Sequence, residues 1–198
     1  MAKSVYLLVG LLFAPLLVLA APVASADSCS GHYSVGIGGW GSGDSSMFTT
    51  VDQKVIYNSW TDPDDGLAGL DRIVTGHRAQ CPADHITEIG YSEGAALVHV
   101  WETTHPNFAR ANAILLADLK RAAGPGSAGV MSIGGAFGYP LSGVDADFGT
   151  IPTLSVCNGR DGMCNAIAGP IGYTEGAHAD YDFDVRHYSD SGKGVRFR

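Results

Sequence analysis

The stretch that most restricts this chain's fold is Ile86-Thr87-Glu88-Ile89-Gly90-Tyr91-Ser92-Glu93-Gly94-Ala95-Ala96. An apolar, β-prone run ends in Gly-Tyr-Ser-Glu-Gly, and small helix-forming residues follow at once. This is the Gly-x-Ser-x-Gly arrangement of a nucleophile elbow, in which a serine sits on a sharp strand-to-helix turn with its hydroxyl clear of the sheet. The strained backbone tolerates no bulk nearby, which is a reason for glycine at 90 and 94. The bare pattern is weak in a chain with 27 glycines. The strand pattern before it and Ala-Ala-Leu-Val-His-Val-Trp after it supply the context that the elbow needs.

The first 26 residues are set apart from the fold. Lys3 gives a positive start, Val5 to Leu19 is almost wholly apolar, and Ala24-Ser25-Ala26 is a small-x-small cleavage site before Asp27. This reads as a cleaved secretory signal peptide rather than a retained anchor, for which the run is short. The rest, 27–198, is long enough for one domain with a real core. Formal net charge is −8, and losing a leader that holds Lys3 and no acid makes it one unit more negative. Such a chain lacks the basic footprint of a nucleic-acid binder and the means to dock electrostatically on anionic lipid. Lys193 to Arg198 reads as a solvated basic tail. The four cysteines, 29, 81, 157 and 164, are expected as disulfides in an oxidising compartment. Of the three connectivities, Cys29–Cys81 with Cys157–Cys164 is preferred, because the second pair closes a short local loop. No Cys-x-x-Cys or His-x-x-x-His spacing supports zinc.

Tyr33-Ser34-Val35-Gly36-Ile37 reads as the first buried strand, followed by a Gly/Ser-rich loop to Ser46. Gly36-x-Gly38-x-x-Gly41 matches a dinucleotide fingerprint, but Asp44-Ser45-Ser46 makes a poor helix start. No acid stands where one is required, about 20 residues on. A glycine-rich loop there also lets backbone N–H groups approach a substrate oxygen closely. Lys54-Val55-Ile56-Tyr57 is a second strand. Leu67, Leu70, Ile73 and Val74 recur at helical spacing, which predicts helix over Asp65 to Gln80. The elbow strand and its helix run to about Glu102. Ala113 to Leu119 suits either a helix or a buried parallel strand, and strand is preferred from the alternation. Gly124 to Gly149 is a glycine-rich surface excursion, and Ile151 to Cys157 is the last strand. The pattern belongs to a single open α/β sheet.

A serine hydroxyl needs a base to take its proton, and the base needs an acid to fix its tautomer. Around such an elbow the chain order is Ser, then Asp or Glu, then His, with the groups gathered at the carboxyl ends of the strands. Asp161, inside Cys157-Asn158-Gly159-Arg160-Asp161-Gly162-Met163-Cys164, is the candidate acid, with Asp145 and Asp147 as rivals. Of the histidines after it, His178 is preferred to His187, which lies on a polar segment. His32, His77, His85, His99 and His105 precede the acid and read as surface or packing residues. The oxyanion donors expected are the backbone N–H of Glu93 and a group near Gly41-Ser42-Gly43, where Ser42 could add its hydroxyl.

Together, Gly90 to Ala95, Asp147 to Thr153, Cys157 to Cys164 around Asp161, and His178-x-x-Tyr181 resemble the cutinase-like serine esterases and the PE-PPE-type α/β-hydrolase domain of bacterial cell-envelope proteins. The resemblance covers most of the chain after the leader. It implies an α/β-hydrolase fold without a lid, built on a central, mostly parallel five-stranded sheet flanked by helices. It further implies a Ser92–Asp161–His178 triad, the disulfide pairing above, no metal or organic cofactor, and short- to medium-chain carboxylic or lipid esters as substrates. Association with the cell envelope and a monomeric state are the partner expectations. Acyl transfer to envelope lipid or sugar hydroxyls is the alternative activity, and an inactive binding or antigen-like protein the alternative class. One position departs from the family: glutamine usually follows the serine, where this chain has Glu93. A carboxylate beside a developing oxyanion is unfavourable, so Glu93 is expected to face solvent or to be hydrogen-bonded away.

Overall fold

In a computed structural model, residues 29–198 are described; the proposed leader lies outside them. Six strands form one wholly parallel sheet in the order β2-β1-β3-β4-β5-β6. They are β1 (His32–Ile37), β2 (Gln53–Val55), β3 (His85–Tyr91), β4 (Ala111–Leu116), β5 (Thr153–Cys157) and β6 (Gly194–Phe197). The helices are α1 (Pro63–Gln80), α2 (Glu93–Thr104) and the short α3 (Gly169–Thr174).

Two strand expectations are corrected. The sheet has six strands rather than five because the basic tail is an edge strand: β6 pairs Val195 with Ser155 and Phe197 with Cys157. Its residues alternate apolar and basic, as a mostly exposed edge permits. The second strand ends at Val55, two residues early. Ile56 turns to solvent, and Tyr57 N–H donates to Gly43 C=O (3.0 Å) instead of continuing the ladder. The ambiguous run at 113 is strand β4, buried at every position, as a central parallel strand must be. Helix α1 starts at Pro63 because Asp62 caps it, accepting from Asp65 N–H (3.0 Å). Proline suits that first position.

The sheet's two faces are covered differently. Val35, Ile37, Ile86, Ala113 and Leu115 pack beneath Leu70, Val74 and Trp101 of α1 and α2. The opposite face holds Ile89, Ile114, Leu116, Leu154 and Val156. It is closed by Phe48 of the glycine-rich loop and by Tyr181 and Val185 of the C-terminal stretch. Both long helices thus lie on one side, and loops reach the other, bringing the glycine-rich loop and the His178 segment to the same edge. Glu88 of β3 and Glu102 of α2 are fully buried on the helical side. Their four carboxyl oxygens have no hydrogen-bond partner outside the pair. Burial, reinforced by the mutual repulsion of the two, holds Glu88 well above the usual carboxylate range, and burial pushes Glu102 up to about 8.

The excursion between β4 and β5 is held by two buried cations. Lys120 Nζ donates to the carbonyls of Leu141 (3.1 Å), Ser142 (3.3 Å) and Gly143 (3.0 Å). Arg121 Nε donates to Cys164 C=O (2.7 Å) and its other nitrogens to Pro125 and Ser127 carbonyls, joining the excursion to the loop that carries Asp161. Disulfides link Cys29 to Cys81 and Cys157 to Cys164, the expected pairing. No described helix is long and apolar enough to cross a membrane.

Candidate active site

Ser92 stands between β3 and α2 with φ 57° and ψ −120°, a left-handed conformation that a side chain rarely adopts. Such strain persists only where the surroundings enforce it. Here Ser92 N–H donates to Leu116 C=O (2.9 Å) on the neighbouring strand, and Ser92 C=O accepts from Ala96 N–H (3.1 Å) to begin the helix. The flanking glycines are steric requirements. A Cβ on Gly90 would lie 2.5 Å from Gly94 O, and one on Gly94 would lie 2.2 Å from Ile37 O. The first glycine-rich loop presses on the serine itself, since a Cβ on Gly39 would lie 2.6 Å from Ser92 Cβ.

Three side chains distant in sequence meet here. His178 Nε2 is 3.0 Å from Ser92 Oγ. On the other side of the ring, His178 Nδ1 is 2.9 and 3.0 Å from the two carboxylate oxygens of Asp161. Asp161 is fully buried within the Cys157–Cys164 loop. Its Oδ2 also accepts from Tyr181 O–H (2.7 Å), and its Oδ1 from Met163 N–H (3.0 Å). Those bonds fix the carboxylate's plane. The imidazole is gripped as well: Tyr173 stacks on it at 4.8 Å, Tyr91 lies at 5.0 Å, and Tyr91 O–H donates to His178 C=O (2.6 Å). Burial, and next the Asp161 charge, raise the Tyr91 and Tyr181 hydroxyls above their ordinary range, so both stay protonated donors.

The rivals lie elsewhere. Asp145 and Asp147 are exposed in the excursion. His187 is exposed and pairs with Asp182 (2.7 Å). Of the earlier histidines, His99 is buried against Asp118 (2.8 Å), His77 pairs with Asp84 (3.0 Å), and His85 bonds Asn112 (2.8 Å). His32 pairs with Asp190 (3.5 Å) and His105 with Asp71 (3.6 Å). The glycines that mimic a dinucleotide fingerprint form the end of β1 and the turn against Ser92.

Ser92 opens into a cleft of about 470 Å³ lined by Trp40, Ser42, Tyr91, Glu93, Leu119, Met131, Tyr139, Met163, Tyr173 and His178. Ser42 sits in its wall, with its own N–H given to Gly39 C=O (2.8 Å), so its hydroxyl is the group it has to offer. The Glu93 carboxyl is drawn away from the serine. Tyr57 O–H lies 3.1 Å from Oε2, and Tyr139 O–H donates to Oε1. This is the hydrogen-bonded alternative expected of it, not the solvent-facing one. Burial raises its pKa above the ordinary carboxyl value, while the Tyr139 bond pulls the other way. Sequence reasoning missed Tyr57, Tyr139, Tyr173 and Tyr91 as parts of the site. Tyr91 lies inside the elbow motif and Tyr181 three residues after His178, but only Tyr181 stands in a motif for a site role.

No family model matches the chain, and no curated protein matches its sequence. Among solved structures it is similar to a cutinase-like protein from Cryptococcus sp., at 19% identity and TM-score 0.50, over 86% of this chain and 100% of that one. A candidate hydrolase of Pectobacterium atrosepticum superposes at 18% identity and TM-score 0.44, over 83% of this chain and 78% of that one. A lidless α/β serine hydrolase of Xanthomonas campestris does so at 12% identity and TM-score 0.38, over 83% and 70%. Strand order, elbow and the first of these superpositions give the chain the fold of a cutinase-like α/β-hydrolase.

Proposed function

We propose that this protein is a secreted serine esterase that hydrolyses short- to medium-chain carboxylic esters through a covalent acyl-enzyme. The observation that carries the reading is the unbroken hydrogen-bonded line Ser92–His178–Asp161 beside an apolar cleft. In this mechanism His178 Nε2 takes the Ser92 proton as Oγ attacks the ester carbonyl. It then gives that proton to the departing alcohol. Asp161 holds Nδ1–H and stabilises the imidazolium while it exists. Glu93 N–H, at the start of α2, and the Ser42 hydroxyl face the developing oxyanion. Water enters by the same route and releases the acid. Trp40, Leu119, Met131 and Met163 give an acyl chain apolar contact, and the cleft's size suits a short to medium chain. The disulfides fit export, as does the leader expected over 1–26.

Purified protein should hydrolyse p-nitrophenyl butyrate, and Ser92→Ala should abolish this. Activity surviving that change would remove Ser92 as nucleophile. Product analysis with and without an acceptor alcohol separates hydrolysis from acyl transfer: a transferred acyl group as the main product would replace the first reading with the second.

A further inference from the structure

The polar contacts of Glu93 do not balance if its carboxyl is ionised. A tyrosine hydroxyl carries one proton, yet Tyr57 Oη contacts two oxygens. It lies 2.9 Å from Gly38 C=O and 3.1 Å from Glu93 Oε2. A carbonyl and a carboxylate both only accept, and one hydroxyl proton cannot serve both in full; a proton on the carboxyl gives the second contact its own donor. Tyr139 O–H donates to the other carboxyl oxygen. With Glu93 neutral each contact has one proton: Glu93 O–H to Tyr57, Tyr57 O–H to Gly38, and Tyr139 O–H to Glu93.

We infer that Glu93 acts as a neutral carboxylic acid, a positioning residue whose proton lets Tyr57 hold the glycine loop against Ser92. Gly38 adjoins Gly39, whose Cα hydrogen side abuts Ser92 Cβ, so the Tyr57 bond sets how that loop meets the nucleophile. Loss of the proton acts twice. Tyr57 O–H swings from the Gly38 carbonyl to the new carboxylate. The negative charge also appears on the residue whose own N–H faces the oxyanion. Among the described residues no lysine or arginine lines the cleft to offset it; the titratable groups there are Tyr91, Tyr139, Tyr173 and, beyond Ser92, His178, with Tyr57 behind Glu93. Burial supports the neutral form by raising the carboxyl's pKa. The amide of a glutamine makes the same three contacts at any pH, donating N–H to Tyr57 and accepting from Tyr139.

The inference rests on Ser92 being the nucleophile, and its test keeps the two claims apart. The pH dependence of kcat/KM on p-nitrophenyl butyrate is measured for wild type, Glu93→Gln and Tyr139→Phe. Wild type should fall about tenfold or more on alkalinisation as Glu93 loses its proton. Glu93→Gln should show no such fall. Tyr139→Phe removes a bond that favours the ionised carboxyl, so its falling limb should move to higher pH. A purely structural role would alter the rate without moving the limb. Superimposable profiles for wild type and Glu93→Gln would overturn the inference. Infrared difference spectra give an answer independent of activity. Subtracting Glu93→Gln from wild type should leave a protonated-carboxyl C=O band that vanishes on alkalinisation, and absence of that band at every pH overturns the proposal. If a fluorophosphonate fails to label Ser92 at any pH, the esterase reading falls, and the infrared band alone decides the state of Glu93.

Discussion

Replacing Glu102 by glutamine should remove one of the two buried carboxyls that make the protein's stability fall as pH rises. Glu102 and Glu88 are buried between α2 and β3, and neither carboxyl has a hydrogen-bond partner outside the pair. Burial pushes Glu102 up to about 8 from an ordinary 4.5. The folded chain therefore retains a proton that the unfolded chain releases as pH rises above that ordinary value. Because the folded state binds more protons, stability falls with rising pH through this window and levels off above the folded value. Each pH unit is worth about 1.4 kcal/mol, so at pH 7 the penalty is about 3 kcal/mol. For a chain of this size that is about 6–12 °C of melting temperature. The assay is thermal or urea unfolding of wild type and Glu102→Gln from pH 4 to pH 9, with both disulfides intact. The variant should gain on wild type steadily as pH rises. Parallel pH profiles for the two proteins would refute the claim that Glu102 is buried with a raised pKa.

Four further outcomes follow from the geometry. Asp161→Asn should lower kcat by about 10³–10⁴ with little change in KM, since the carboxylate sets the His178 tautomer; a loss below tenfold would exclude that role. Gly39→Ala should lower kcat/KM by about a hundredfold while α2 and the sheet persist by circular dichroism, because the new Cβ meets Ser92 Cβ at 2.6 Å; wild-type activity would show that the loop yields freely. The two disulfides should separate stability from activity. Cys29–Cys81 spans 52 residues and Cys157–Cys164 spans 7, so loop entropy gives about 4 and about 2.5 kcal/mol respectively. Removing the first by paired serine substitution should cost more in unfolding free energy, and removing the second should cost more in kcat. The reverse order in kcat would mean that the short loop does not anchor Asp161.

Three of the buried strands are legible in the sequence. β1, β3 and β5 announce themselves as apolar runs, and the elbow reads clearly because its glycines are steric necessities. β4 was ambiguous because a continuous apolar run has no period to separate strand from helix. β6 reads as a solvated tail because Gly194–Phe197 is a four-residue, mostly exposed edge, too short for its apolar–basic alternation to mark a strand. Helix α1 begins two residues before its predicted start because the capping by Asp62 reads equally as a turn. Asp161 and His178 could be named from chain order and from the cysteines. The tyrosines that grip them could not, since each reaches the site through a loop whose path the tertiary packing decides. Glu88 sits at a core position of an apolar strand, and nothing local distinguishes it from a surface charge. Its burial becomes visible only once α2 brings Glu102 over it.

The central claim is tested most directly by treating the protein with a fluorophosphonate and mapping the adduct by peptide mass spectrometry. The account predicts one adduct per chain, on Ser92, absent in Ser92→Ala and strongly slowed in His178→Ala. An adduct on another residue, or an unmodified Ser92 in folded wild-type protein, would contradict it.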